Sequence, residues 1–156
     1  MKITICGYLR GYSIEKIALR TIQLYAEKIL GDACSSIKEI RLVVSKKDIS
    51  WHHGFTRLYN KKTKIAYVHL PGTYRNKVSA RFLPKHELAH LKQIIEGRLV
   101  SRHVDKITFK HKRVGARTYH WNKKLYAYVY KNKSFAQLKT AWEKEANKAA
   151  RIGRRL

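Results

Sequence analysis

Apolar residues recur along this chain at two periods, and the changes between those periods mark its elements. Residues 1–9, MKITICGYL, alternate weakly and suit a short strand. After Ser13 the period lengthens: Ile14, Ile17, Ala18, Ile22, Tyr25, Ala26 and Ile29 return at the spacing of one helix face, and Gly31 supplies a C-cap. Residues 36–45, SIKEIRLVVS, offer Ile37, Ile40, Leu42 and Val44 to a strand. Residues 61–72, KKTKIAYVHLPG, make a second strand ended by Pro71 and Gly72. The stretch that leads into it, DISWHHGFTRLYNKKT, reads as a loop or hairpin.

Helical spacing returns in residues 82–96, FLPKHELAHLKQIIE, and Gly97 ends it. Pro84 places the start of this helix close by, because a missing N–H costs little only in the first turn. The basic, tyrosine-rich residues 99–133 predict one or two strands or a long excursion. Residues 134–155 then predict a helix capped by Ser134, with Phe135, Leu138, Ala141, Trp142, Ala146, Ala149 and Ala150 available for one buried face. No repeat, linker or charge block divides the chain. The pattern therefore predicts one α+β domain over residues 1–156.

Charge changes the picture most. Thirty-five Lys and Arg against ten Asp and Glu give a formal net of +25, enough to draw polyanions to so small a body. DNA or RNA is the expected polyanionic partner, since each phosphate contact releases condensed counterions. A solvated basic surface serving solubility is the plainer alternative. No apolar run nears the roughly 20 residues a membrane span needs, and the N-terminus reads as a strand rather than a signal peptide. Cys6 and Cys34 form no disulfide framework and predict free thiols in a reducing, cytoplasmic setting.

The candidate chemistry lies in HELAH. Residues four apart share a helix face, so His86 and His90 can bind one divalent ion, while Glu87 reaches toward its water without ligating it. That arrangement suits zinc and a general base. The alternative is the polar turn of an ordinary amphipathic helix. A catalytic zinc needs a third protein ligand, for which the chain offers Glu143, His103, His111 and His120. Glu143 is favoured because it follows Trp142 and shares a helix side with Ala146 and Asn147, whereas Glu145 falls nearer the polar side. Both glutamates could instead be exposed partners of Lys139 or Lys148.

RFLPKHELAH resembles the RF-x-x-x-HE-x-x-H segment of the ImmA/IrrE-type metallopeptidases, and EKEANKAA resembles the helix that carries the glutamate ligand in those and other gluzincins. HELAHLKQ with AWEKEANKAA is also similar to small metallopeptidase-like proteins of phages and other mobile elements, which implies a virus-encoded protein working in a host cell. The resemblance implies a zincin-like fold, with a small mixed sheet packed on the HExxH helix and a C-terminal glutamate-bearing helix. It implies Zn²⁺ held by His86, His90 and Glu143, Glu87 as catalytic base, and Asn147 orienting a ligand histidine from behind. The implied activity is that of a zinc-dependent endopeptidase acting on a protein or peptide substrate, one that could itself be bound to nucleic acid.

His103, thirteen residues after His90, supports a second resemblance, to SprT-like proteases with three histidine ligands. The strand KIAYVHL has two readings, an edge strand that aligns an extended substrate or a plain core strand. Tyr119, His120, Tyr126 and Tyr128 are candidates to stabilise an oxyanion, and His52 and His53 read as a polar loop. A different class of function also fits: a basic nucleic-acid-binding protein with a structural or vestigial metal site, its Lys, Arg and aromatics interleaved from FKHKRVGARTYHW onward.

Overall fold

Strand alternation decides which way the first sheet faces. In β2 (Glu39–Val44), Ile40 and Leu42 are buried, and in β4 (Ile65–Leu70) so are Ala66, Val68 and Leu70. The parallel register pairs Ile40 with Ala66 and Leu42 with Val68, so these side chains form one continuous apolar face. Intervening Arg41 and Tyr67 pair on the opposite face. There the guanidinium donates to the phenol oxygen at 2.9 Å and lies 5.6 Å from the ring centroid.

The computed structural model describes residues 1–7, 13–44, 55–70, 77–109, 112–122, 124–129 and 141–153. Within them the sheet runs β1-β2-β4-β3, with β1 (Lys2–Gly7) parallel to β2, and β3 (Phe55–Asn60) antiparallel to β4. The segment read as loop or hairpin thus contains a strand. KIAYVHL is interior, because β3 takes the edge beside it.

Helix α1 (Ser13–Leu30) links the parallel pair β1 and β2. Ala18, Ile22, Ala26 and Ile29 are buried at the expected spacing, and Leu30 joins them, while Ile17 and Tyr25 are half-buried. Gly31 adopts φ +53, as its C-cap role requires, and the chain continues as a 3-10 helix over Gly31–Ser36. Cys34, on that segment, is a free thiol.

Helix α2 (Lys77–Ile95) starts five residues before the expected position, which puts Pro84 inside it. Pro84 has no N–H to give the carbonyl one turn back, at Ala80, so this helix forms against a local cost of roughly 3 kcal/mol. Burial of Ala80, Pro84, Leu88, Ala89 and Leu91 opposes that cost. The C-terminus behaves as the sequence predicts. Gly97, at φ +71, donates to the Ile94 carbonyl at 3.0 Å and Arg98 donates to that of Gln93 at 3.0 Å, the paired bonds of a Schellman motif.

Residues 99–133 yield three strands rather than one or two. β5 (Leu99–Phe109), β6 (Lys112–Trp121) and β7 (Lys124–Val129) form a separate antiparallel sheet. The closing helix α3 is described over Ala141–Ala150, with Trp142, Ala146 and Ala150 buried and Ala141 exposed; Ser134, Phe135 and Leu138 lie outside the described residues. Ile22, Leu42, Val68, Leu88 and Ala146 belong to one core shared by α1, the first sheet, α2 and α3. No helix among the described residues is long and apolar enough to cross a membrane.

Candidate metal centre

The one-turn spacing of His86 and His90 brings their rings to 4.6 Å between centroids and nearly perpendicular, with the two Nε2 atoms 3.0 Å apart. Into that pair comes Glu143, in the first turn of α3. Its Oε2 is 3.1 Å from His86 Nε2 and its Oε1 is 3.2 Å from His90 Nε2. Ligands bound tetrahedrally at about 2.0–2.1 Å stand roughly 3.3 Å apart, close to these separations. Ligand atoms of all three residues lie within 4.8 Å of one another, so the group can hold a metal ion. The side chains are 13 %, 11 % and 20 % exposed, which leaves the cluster an opening to solvent.

One buried amide explains why His90 presents that nitrogen. Gln93 Nε2 donates to the Trp142 carbonyl at 3.0 Å, and a carbonyl can only accept, so the amide's orientation is set. Its oxygen then faces His90 Nδ1 at 2.9 Å and must receive the proton there. With Nδ1 protonated, neutral His90 directs the lone pair of Nε2 at Glu143 and His86, as a metal ligand requires. His86 is held differently. Its ring stacks on Phe82 at 5.9 Å, and its buried Nδ1 has no hydrogen-bond partner among the described residues.

Electrostatics bind the cluster further. Burial works against charge on His90, but the hydrogen bond and charge of Glu143, the charge of Glu87 and the Gln93 bond outweigh it and lift its pKa to about 9. Burial likewise opposes ionisation of Glu143, yet its bonds to His86 and His90 and their charges hold it at about 2. Without metal, the proton on His90 thus neutralises Glu143. Glu87 is only 1 % exposed, and its carboxylate belongs to the field that His90 feels. Lys85, also buried, donates to the Ile152 carbonyl at 2.8 Å and lies over the Tyr25 ring, tying the end of α3 to α2 and α1.

A second brace closes the far side. Arg98 donates to both oxygens of Glu145 at 2.8 Å and to Glu96 at 2.7 Å, and lies 5.1 Å from the centroid of Trp121. Trp121 packs against Trp142, with Leu99 and Ile94 beside them. Glu145 therefore anchors α3 from outside while Glu143, two residues earlier, faces the histidines.

The arrangement brings together His86, His90 and Glu143 as expected. Asn147 makes no hydrogen bond to either histidine among the described residues; Gln93 occupies the orienting position instead. The readable signal was its place three residues after His90, on the same helix face in an apolar run. His103, His120, Tyr119, Tyr126 and Tyr128 have backbone positions in the second sheet, His103 opposite Arg117 and Tyr119 opposite Tyr126, but their side chains lie outside the described residues. His52, His53 and His111 lie outside them altogether. Compared with protein-family models, curated proteins and solved structures, the chain matches none.

Proposed function

We propose that this chain is a zinc-dependent endopeptidase of the gluzincin type with a zincin-like architecture. The observation that carries the reading is the convergence of two imidazole nitrogens and a carboxylate from separate helices, with His90 Nδ1 engaged by Gln93 so that Nε2 is the nitrogen left for an ion. Nitrogen and oxygen donors at these separations fit zinc, and His86, His90 and Glu143 would hold it. Bound there, zinc would act as a Lewis acid and bring the pKa of water to about 7. Glu87 takes a proton from the attacking water and passes it to the leaving amine as the carbon–nitrogen bond breaks. Buried beside His90, Glu87 exchanges that proton away from bulk solvent. The edges of the first sheet are β1 and β3; β3, which packs beside α2, therefore replaces β4 as the strand along which an extended substrate would add.

Elemental analysis tests the first step and proteolysis the second. Wild type should carry about one zinc per chain. Glu87→Gln should keep the zinc and lose cleavage of an unfolded protein by at least about 100-fold, the scale of a general base. Cleavage at the wild-type rate by Glu87→Gln would refute its role, and a wild type that takes up no zinc would refute the site.

Nucleic-acid binding has its own supporting observation. At one end of the first sheet the Lys2 N–H donates to the Lys38 carbonyl at 3.0 Å and the Lys38 N–H to that of Lys64 at 2.8 Å. This lines up three exposed lysines across neighbouring strand starts, with exposed Lys61 and Lys62 in the adjoining turn. Such a row suits phosphates and would localise the protein rather than choose its cleavage site. Affinity for a random oligonucleotide should fall steeply between low and physiological salt and ignore a chelator; affinity insensitive to salt would overturn this reading.

A further inference from the structure

Gln93 has no exposed surface, and its amide bonds to His90 on one side and to α3 on the other, at the Trp142 carbonyl and the Glu145 carboxylate. The oxygen accepts from the ring of one ligand, His90, and the nitrogen donates to the carbonyl of Trp142, the residue immediately before the other ligand, Glu143. One side chain on α2 therefore touches both helices from which the ligands come. We infer that Gln93 is a positioning residue that couples the two halves of the site: it sets the tautomer of His90 and, through Trp142, the place at which Glu143 enters.

This rests on the metal site proposed above, and it adds a functional asymmetry between the histidines. The Nδ1–H of His90 is held by a partner that is itself held, whereas His86 Nδ1 has no such partner among the described residues. The orientation of His90 is settled before any ion arrives. That of His86 depends on stacking against Phe82, on Glu143 and on the ion itself. An amide also does what a carboxylate could not do as well here, since two acceptor oxygens would set one of them against the Trp142 carbonyl.

Two substitutions separate this role from mere packing. Gln93→Met keeps the side-chain length and removes the bonds to His90, Trp142 and Glu145. Gln93→Glu, ionised or protonated, still offers His90 an acceptor. Zinc affinity, measured by competition with a chelator well below each variant's melting temperature, should fall 10- to 100-fold in Gln93→Met and recover in part in Gln93→Glu. Equal affinity of folded Gln93→Met and wild type would overturn the inference, as would a Gln93→Glu protein no better than Gln93→Met.

Nitrogen NMR of the zinc-loaded wild type gives a test that survives a misfolded variant. His90 should ligate through Nε2 and carry a proton on Nδ1 in contact with the Gln93 amide; ligation through Nδ1 would overturn the inference. Failure of the metal site itself looks different, because then wild type takes up no zinc and both readings fall together. Normal zinc uptake by wild type and Gln93→Met alike removes only the role of Gln93.

Discussion

Helices α1 and α2 are of similar length and pack against each other, yet they bury different chemistry. Among the described residues of α1 the buried ones are Ala18, Ile22, Ala26, Ile29 and Leu30, with one polar exception, Thr21, which donates to the Ile17 carbonyl of its own helix. On α2 the buried set includes Lys85, Glu87, His90 and Gln93. Burying such groups costs free energy unless each finds a partner. On α2 the partners come largely from α3, through Trp142 and Glu143, and from Ile152 in the turn after it. α1 is thus an element built for stability, while α2 has traded apolar contact for a polar network that needs a second helix to complete it.

The largest effect that tests this contrast is the loss of a ligand. His90→Ala and Glu143→Ala should each lower bound zinc from about one per chain to near zero by elemental analysis, whereas His103→Ala should leave it unchanged. The opposite ranking of Glu143 and His103 would move the third ligand to the second sheet. On α1 the matching experiment is Ile22→Ala, which should cost roughly 2–5 kcal/mol in urea unfolding, the range for truncating a buried Ile or Leu. The zinc affinity of its folded fraction should not change, because Ile22 contributes only packing.

The dependence of stability on pH should separate the helices as well. In metal-free protein the pKa of His90 is raised from 6.5 to about 9, so its contribution is full below 6.5 and disappears as pH rises through 9. The pKa of Glu143 is lowered from 4.5 to about 2, so its contribution is present above 4.5 and disappears as pH falls through 2. Chelated protein should therefore lose stability on the alkaline side, and His90→Ala should abolish that loss. Zinc must displace the His90 proton, so its affinity should climb with pH up to about 9, measured by competition titration.

Two glycines give the smallest effects. At Gly153, φ is +79 and an added Cβ would lie 2.7 Å from Tyr25 Cζ, so Gly153→Ala should displace the ring that Lys85 covers and cost roughly 1–3 kcal/mol. At Gly97 the φ is +71 with nothing within 4 Å of such an atom. Gly97→Ala should then cost only the strained backbone, roughly 1 kcal/mol by thermal unfolding.

Much of this was legible along the chain because it is local. The i, i+4 spacing of His86 and His90, the apolar face of α1 and the glycine caps at Gly31 and Gly97 follow from helix geometry alone. The start of α2 was misplaced because Pro84 is a strong local signal, and burial of the helix around it outweighs that preference. The number of strands in the meander is not legible because its turns carry little punctuation. Asn122, at φ +48, marks the bend between β6 and β7 from within a run of basic and aromatic residues. The role of Gln93 is not legible because a single glutamine on a helix is ordinarily solvated.

By itself, then, the sequence determined the periodic elements, the pair of imidazoles on one face and the strongly basic surface, since each depends on residues near one another or on a simple sum of charge. Tertiary structure alone decided that Glu143 reaches both histidines at ligand distance, that Gln93 rather than Asn147 bonds to His90, and that Lys85 is buried. Those outcomes depend on how α3 is rotated against α2. That rotation is set by Trp142 packing on Trp121 and by the grip of Arg98 on Glu145, contacts between residues far apart in the chain whose energies no local pattern records.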